Sequence, residues 1–231
     1  MNGLRADAVR LGRGLAQRIR TNGAACDVLL CPPATLLTLV GEVIAGSGIL
    51  LGGQDCHIAP AGAFTGSISA EMLKDAGCTH VIVGHSERRR GCGESDADVK
   101  AKIAAAWHAG LIAIVCVGET REERASGKAL DVVVNQLTQS VPSEAGPNNL
   151  VVAYEPVWAI GSGRIPTLLE ISDVHAAISA HLPSTRVIYG GSVAAFNAAG
   201  ILDIENVDGA LVGSSSLRVD EFWAIIRACA P

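Results

Sequence analysis

Long apolar segments are missing from this sequence of 231 residues. The longest apolar run, residues 111–117, is about seven residues long, whereas a helix that crosses a bilayer needs roughly 20. The opening residues also lack the apolar core and small-residue cleavage site of a secretory signal. We therefore expect a cytoplasmic protein that does not enter a membrane.

Metal-binding cysteine patterns and an excess of basic residues are absent as well. The seven cysteines are odd in number and include no C-x-x-C pair, which argues against a disulfide framework and against a zinc site. Charged residues make up only 18% of the chain, and the net charge is −5, which disfavours a nucleic-acid surface. We expect reduced thiols, no bound metal and no nucleic-acid partner.

Short apolar runs recur along the whole chain, in which 49% of the residues are hydrophobic. No long polar linker separates them, so we expect a single domain over residues 1–231. Runs that are apolar throughout are typical of parallel strands covered on both faces. Seven strands are predicted, at residues 28–31, 50–53, 81–83, 112–117, 150–154, 187–189 and 210–212.

Helical segments alternate with these strands, and the first of them precedes every strand. Residues 4–20 carry apolar side chains at helical spacing, which brings the prediction to eight helices against seven strands. A closed (βα)₈ barrel would need one further strand ahead of that helix. An open doubly wound α/β sheet can begin with a helix, so periodicity alone leaves both architectures open.

Two strand ends carry side chains suited to proton transfer. His85 follows the strand at 81–83, and Glu155 follows the strand at 150–154. In parallel α/β folds the working residues lie at these carboxyl ends. One such residue would more often be structural, but an imidazole and a carboxylate from two strands of one sheet favour an electrophile and a base.

Two glycine-rich turns near the end of the chain favour an anion site. Gly190-Gly191-Ser192 and Gly213-Ser214 each follow a predicted strand and precede a helix. Exposed backbone N–H groups in such turns bind phosphate, and barrels often build a phosphate site after their last two strands. No P-loop or G-x-G-x-x-G fingerprint occurs, so a nucleotide is not implied.

These motifs, taken in order, resemble the triosephosphate isomerase family over essentially the whole chain. The resemblance rests on Gly62-Ala63-Phe64-Thr65-Gly66, the segment 84–89 around His85, the segment 153–161 around Glu155, and the turn 189–193. It implies a (βα)₈ TIM barrel, apparently without its first strand. It also implies a homodimer that interconverts dihydroxyacetone phosphate and glyceraldehyde 3-phosphate without a cofactor.

The resemblance further assigns a role to each matching residue. Glu155 corresponds to the catalytic base and His85 to the electrophile, and the family is itself a standard example of a neutral histidine beside a helix N-terminus. Thr65 corresponds to the tip of the loop that enters the neighbouring subunit. The supporting residues are Glu87, Ser86 and Cys116, and the substrate phosphate is assigned to Gly161, Ser192, Gly213 and Ser214.

The sequence departs from the family pattern at four places, of which Ala194-Ala195-Phe196, in place of more polar residues, should leave the fold unaffected. The family's first strand ends in Asn-x-Lys followed by Met-Asn-Gly, and this chain begins with Met1-Asn2-Gly3. A lysine ammonium that faces the developing oxyanion is often worth about 3–4 kcal/mol, so we expect impaired turnover. The alternative is a weak or inactive barrel that binds triose phosphates. Ser214 replaces a usual glycine. The segment that contains Gly161 corresponds to the family's closing lid, and Pro166 lies near the end of this lid.

Overall fold

Parallel strands in strict sequence order form the centre of the molecule. The computed structural model describes residues 1–160 and 164–229, and within these ranges each strand pairs with the next. A doubly wound sheet would reverse its strand order at a switch point, so the sequential order favours the barrel architecture. The strands are β1 (Leu29–Leu30), β2 (Leu50–Gly53), β3 (His80–Val83), β4 (Ile112–Val117), β5 (Leu150–Tyr154), β6 (Arg186–Tyr189) and β7 (Gly209–Ala210).

The described ranges contain ten α-helices instead of the predicted eight, because the connections after β3 and after β4 each contain two. None of them is long and apolar enough to cross a bilayer. Short 3₁₀ helices span Ala34–Leu36 and Ser214–Leu217. The α-helices are α1 (Arg5–Asn22), α2 (Leu37–Ile44), α3 (Ala70–Asp75), α4 (Ser86–Gly91), α5 (Asp96–His108), α6 (Arg121–Ala125), α7 (Ala129–Ser140), α8 (Leu168–His181), α9 (Ala198–Leu202) and α10 (Val219–Ile226).

Side-chain caps explain where several helices begin. Ser95 caps α5 by accepting a hydrogen bond from the amide of Asp98, whose carboxylate accepts one from the Ser95 amide in return. Thr120 caps α6, and Thr167 caps α8, in the same reciprocal way. Each cap satisfies amides that the first helical turn leaves free, and so separates the helix from the preceding loop.

Two apolar layers lie on opposite faces of the sheet. In β4, Ala113, Val115 and Val117 point into the layer between strands and helices. Ile114 and Cys116 alternate with them and belong to a smaller cluster, which also contains Ile82, Val151 and Ala153. This cluster fills the interior that the curled sheet encloses, which is why the strands are apolar at every position.

Helix packing closes the outer layer between the two ends of the sheet. A Cβ placed on Gly12 of α1 would lie 2.8 Å from a methyl of Val43 in α2, and one on Gly14 would lie 2.9 Å from a methyl of Val219 in α10. Residues 1–4 form no strand, and β1 and β7 do not pair with each other in the described part of the chain. The predicted barrel of seven strands is therefore observed, and α1 packs against both α2 and α10 on the outside.

Candidate active site

Glu155 lies at the carboxyl end of β5 with almost no contact with solvent. Glu155 is 1% exposed. Its two carboxylate oxygens contact two consecutive residues, His85 and Ser86. Oε1 lies 2.8 Å from Nε2 of His85, and Oε2 accepts a 2.8 Å hydrogen bond from the amide of Ser86. A carboxylate held this way in an apolar environment has a defined direction and few water ligands, as a general base requires.

Glycines on both neighbouring strands make room for Glu155. A Cβ on Gly118, after β4, would lie 1.7 Å from the Glu155 carbonyl oxygen, which is a forbidden contact. A Cβ on Gly190, after β6, would lie 2.9 Å from Cγ of the Glu155 side chain. The predicted glycine turn at 190–191 thus has a steric role beside Glu155, and Gly118 has one that the sequence analysis did not identify.

His85 reaches Glu155 from the end of β3, where it caps α4. Its Nδ1 accepts a 3.2 Å hydrogen bond from the amide of Glu87 in the first turn of that helix. A nitrogen that accepts this bond carries no proton, so the neutral ring has its proton on Nε2 and donates it to Glu155. The helix N-terminus therefore selects the tautomer that presents an N–H to the site.

Opposing effects act on the pKa of His85. Burial alone would lower it, but the hydrogen bond to Glu155 and the charge of that carboxylate outweigh burial, so the pKa of His85 is raised. This balance depends on Glu155 staying beside the ring. A substrate that separated the two side chains would remove the main cause of the higher pKa and favour the neutral imidazole.

The three predicted supporting residues contact this pair in different ways. Ser86 contributes its amide, whereas its buried hydroxyl oxygen has no hydrogen-bond partner among the residues that the structure describes. Glu87 also contributes its amide, and its side chain is exposed. Cys116 lies in the barrel interior, where burial, the charge of Glu155 and a hydrogen bond to it raise the pKa of the thiol. Cys116 is therefore an uncharged neighbour of the carboxylate.

Arginines that the sequence analysis left without a role anchor α4, and with it His85. Arg88 pairs with Glu94 at 2.6 Å and with Asp55 at 3.0 Å. Arg89 pairs with Asp96 at 2.6 Å and donates to the carbonyl of Cys116 at 3.2 Å. Since both residues belong to a helix of only six residues, these contacts replace the stability that a longer helix would have.

Glu119 is a second buried carboxylate at a strand end, and it was not predicted. It is fully buried, and its Oε1 accepts hydrogen bonds from Arg124 Nε at 2.6 Å, Trp158 Nε1 at 2.8 Å and the Tyr154 hydroxyl at 3.2 Å. Trp158 begins the segment that leads to the predicted lid. The strand-end rule that singled out His85 and Glu155 would also have found Glu119, which comes two residues after β4.

The predicted phosphate residues lie on three separate segments. The Ser192 hydroxyl donates to the carbonyl of Ala159 at 3.4 Å, so the turn after β6 contacts the start of the lid segment. Gly213 and Ser214 are exposed where the 3₁₀ helix after β7 begins. Ser214 is not among the non-glycine residues with positive φ, so its side chain causes no backbone strain. Gly161 lies outside the residues that the structure describes.

Thr65 lies away from these segments, in an exposed turn. The residues around it, 61–67, are all exposed, and the ring of Phe64 contacts His57 at 4.0 Å between ring centroids. This contact fixes the base of the turn and leaves Thr65 at its surface. Within the described residues, the groups that hydrogen-bond to Glu155 and His85 do not include Thr65 or Phe64.

Comparison with known proteins identifies the family. A sequence model for triosephosphate isomerase matches residues 1–229. The chain belongs to the triosephosphate isomerase family. A triosephosphate isomerase from Xanthobacter autotrophicus is 53% identical, over 99% of this chain and 93% of that protein. One from Afipia carboxidovorans is 52% identical, over 99% of this chain and 94% of that protein.

A solved structure supports the same assignment. The crystal structure of triosephosphate isomerase from Bartonella henselae is 44% identical and superposes with a TM-score of 0.91. The alignment covers 99% of this chain and 94% of that chain. The resemblance read from the motifs is therefore confirmed, and so is the TIM barrel fold.

Proposed function

We propose that this protein is a triosephosphate isomerase that uses Glu155 as the base and His85 as the electrophile. One observation carries the proposal. A buried carboxylate and an imidazole with its proton on Nε2 meet at 2.8 Å at the carboxyl ends of β5 and β3. The triosephosphate isomerases named above, at 53% and 52% identity, support the choice of substrate.

The first step is a proton transfer from carbon to Glu155. The carboxylate removes a proton from C1 of dihydroxyacetone phosphate, and the electron pair of the broken C–H bond forms the C1–C2 double bond of an enediolate. A proton then moves from the C1 oxygen to the C2 oxygen. Glu155, now protonated, returns its proton to C2 as the C1 oxygen becomes the aldehyde carbonyl, which gives glyceraldehyde 3-phosphate. One carboxylate can serve both carbons because C1 and C2 are adjacent.

His85 stabilises the charge that this transfer creates. In the free protein its Nε2–H donates to Glu155. When substrate binds, the substrate oxygen replaces the carboxylate as acceptor, so the same donor that oriented the base now polarises the carbonyl group. The Glu87 amide continues to donate to Nδ1 and so holds the ring in the neutral tautomer that suits this role.

We assign phosphate binding to the backbone of three segments. Ser192 and the Gly213–Ser214 turn present exposed or half-buried amides after β6 and β7, and such amides bind anions without a basic side chain. Gly161 completes the site in the proposal as part of the lid. Its closure would exclude water from the enediolate, which otherwise loses phosphate.

The assembly and cellular setting are also part of the proposal. We infer a single domain over residues 1–231, which forms a homodimer through the exposed turn that carries Thr65. An exposed turn with a fixed base is suited to insertion into a second subunit. The reaction belongs to glycolysis and gluconeogenesis, and we place the protein in the cytoplasm.

Turnover and ligand binding, measured together, test this function. We expect the chain to isomerise triose phosphates in both directions and Glu155→Gln to lower kcat by about 10²–10⁴-fold. Phosphoglycolate, an inert mimic of the intermediate, should still bind the variant, which would show that its phosphate site is intact. The exposed Glu144 offers a matched control, Glu144→Gln, which should leave kcat unchanged. Equal turnover by Glu155→Gln and the control would overturn the assignment.

A further inference from the structure

The backbone that carries His85 into the site turns sharply at Gly84. Gly84 follows the last residue of β3 and has a φ of +65°, in the left-handed region that residues with a side chain rarely adopt. A Cβ at this position would also lie 2.8 Å from a methyl group of Val99 in α5. Since neither the conformation nor the space suits another residue, the backbone on the amino side of His85 has one defined path.

The side chain of Arg89, in α4, holds this turn. Its Nε donates a 2.8 Å hydrogen bond to the carbonyl oxygen of Gly84, and its Nη2 donates one of 3.2 Å to the carbonyl oxygen of Cys116. Gly84 and Cys116 directly follow Val83 and Val115, the last paired positions of β3 and β4. One guanidinium group therefore joins the two strands at the point where their pairing ends.

The main chain of Arg89 holds His85 from the other side. The Arg89 amide donates a 3.0 Å hydrogen bond to the carbonyl oxygen of His85. The peptide group before the histidine and the peptide group after it are thus both bound to one residue. Because a side chain points where its backbone directs it, these bonds restrict the direction of the imidazole ring.

Further contacts fix the guanidinium group itself. Its Nη1 donates to Asp96 at 2.6 Å and its Nη2 to the Ser140 hydroxyl oxygen at 3.3 Å, and that hydroxyl donates to the same carboxylate at 2.8 Å. Ser140 is fully buried, and the Arg89 side chain is 15% exposed. A planar guanidinium presents several donors in fixed directions, so it can hold two carbonyl groups and a carboxylate at once, whereas a lysine ammonium lacks this geometry.

We propose that Arg89 is a positioning residue for His85, and that it fixes the direction of the imidazole by binding the peptide groups on both sides of it. The inference rests on the proposed function, in which the Nε2–H of His85 polarises the substrate carbonyl. The guanidinium donates to two main-chain carbonyls and to the side chains of Asp96 and Ser140, so Arg89 acts through the histidine.

Loss of this support should affect turnover more than substrate binding. In Arg89→Met the Gly84 carbonyl loses its side-chain donor, so the imidazole should adopt a wider range of directions. A reacting group that is misplaced by about 1 Å can lower a rate about 10²-fold, and we expect kcat to fall by about 10–10²-fold. KM for dihydroxyacetone phosphate should change by less than about threefold, because the variant removes an interaction that matters mainly in the transition state.

Arg88→Met is the matched comparison within α4. The Arg88 side chain pairs with Asp55 and Glu94 instead of with a carbonyl beside His85. Both variants should lower the melting temperature, since each removes ion pairs from the same short helix. Only Arg89→Met should lower kcat by about tenfold or more. Equal losses of kcat in the two variants would show that general support of α4 is what matters, and would overturn the inference.

NMR of the imidazole nitrogens follows His85 without any turnover. At a pH above the pKa of His85, the parent protein should show one tautomer, with the proton on Nε2. In Arg89→Met the shifts of the two nitrogens should move towards each other, because the ring is held less firmly against the Glu87 amide. A parent protein without isomerase turnover would overturn the proposed function alone. An unchanged His85 spectrum, or an unchanged kcat in an active background, would overturn the role of Arg89.

Arg89→Lys keeps the test decisive if the methionine variant does not fold. Its ammonium retains the charge beside Asp96 but cannot bind both carbonyl groups, so kcat should fall by about tenfold and the His85 spectrum should change in the same direction. Parental kcat in the folded Arg89→Lys protein would show that a positive charge is sufficient at this position, and would overturn the inference.

Discussion

The wall of the barrel formed by β3, β4 and β5 differs sharply from the flank formed by β7, α1 and β1. Strands in the wall are four, six and five residues long, and each pairs with both neighbours. The edge strands of the flank have two residues each, and they do not pair with each other in the described ranges. The wall carries the buried Glu155, its partner His85 and the buried Glu119.

This difference shows what each kind of packing can support. Glu155 and Glu119 are nearly or fully buried, and both need donors at fixed positions, which a continuous sheet with short connections provides. The flank relies on close helix contacts at Gly12 and Gly14. Such contacts hold the outer layer together, but they present no side chain to the carboxyl end of the barrel.

The largest expected effect comes from adding a strand to the flank. A strand that ends in Asn-x-Lys, fused ahead of Met1, should pair with the edges of β1 and β7 and raise kcat by about 10²–10³-fold. The physical reason is that an ammonium near the enediolate oxygen would stabilise the developing charge in addition to His85. The measurement is steady-state isomerase turnover of the two proteins.

The control for this extension is the same strand with methionine in place of its lysine. It should restore strand pairing and raise thermal stability without the gain in kcat. Equal kcat for the chain with and without the lysine strand would show that the flank is already sufficient for catalysis.

On the wall, the network around Glu119 should dominate stability. Glu119→Ala leaves Arg124 without its closest partner and removes the acceptor for Trp158 and Tyr154. We expect the free energy of unfolding in urea to fall by about 3 kcal/mol. The exposed Glu122 serves as control, since Glu122→Ala should change it by less than about 0.5 kcal/mol. An equal fall in the free energy of unfolding in both variants would show that the buried Glu119 contributes no more to stability than an exposed glutamate.

A smaller effect on the wall concerns the titration of His85. Because Glu155 raises its pKa against the effect of burial, Glu155→Gln should lower the pKa of His85, as followed by NMR of the ring. His175 is an internal control, because burial lowers its pKa at a site away from Glu155 and the variant should not change it. An unchanged His85 titration would contradict the pairing.

The sign of the linked stability follows from the same shift. A raised native pKa means that the His85–Glu155 pair stabilises the fold fully below the unfolded histidine pKa of about 6.5. The contribution is lost as the pH rises through the higher native pKa. In Glu155→Gln, this part of the pH dependence of unfolding should disappear.

The smallest effect is expected on the flank, at Ser214. This residue replaces the family's usual glycine, but it has no positive φ, so glycine offers the turn no conformation that it needs. Ser214→Gly should therefore change kcat/KM by less than about twofold. A gain of tenfold or more would show that the serine side chain obstructs the phosphate turn.

Continuous apolar runs were the most reliable signal in the sequence. The predicted strands at 50–53, 112–117 and 150–154 coincide with β2, β4 and β5, since both faces of these strands are covered. The predicted strand at 28–31 shortens to β1 (Leu29–Leu30). The prediction at 210–212 is wrong in its bounds, because β7 is Gly209–Ala210 and overlaps it only at residue 210. Within the described residues, each of these edge strands pairs with one neighbouring strand, so fewer of its residues are held in strand conformation. The apolar character of a run does not show whether its strand lies at an edge.

The site was predictable where a strand end carries a titratable side chain. This rule singled out His85 and Glu155, which the structure places in contact. The same rule could not predict that a side chain at Gly118 or Gly190 would clash with Glu155. These residues follow strands that are neighbours of β5 in the fold but are distant in the sequence.

Deuterium exchange tests the central claim most directly. The chain is incubated with dihydroxyacetone phosphate in D₂O, and deuterium at C1 of the recovered substrate is measured by NMR. Transfer through Glu155 predicts that the parent protein incorporates deuterium at C1, while Glu155→Gln does so at least about 10²-fold more slowly. Exchange at the parental rate in Glu155→Gln would show that another group moves the proton.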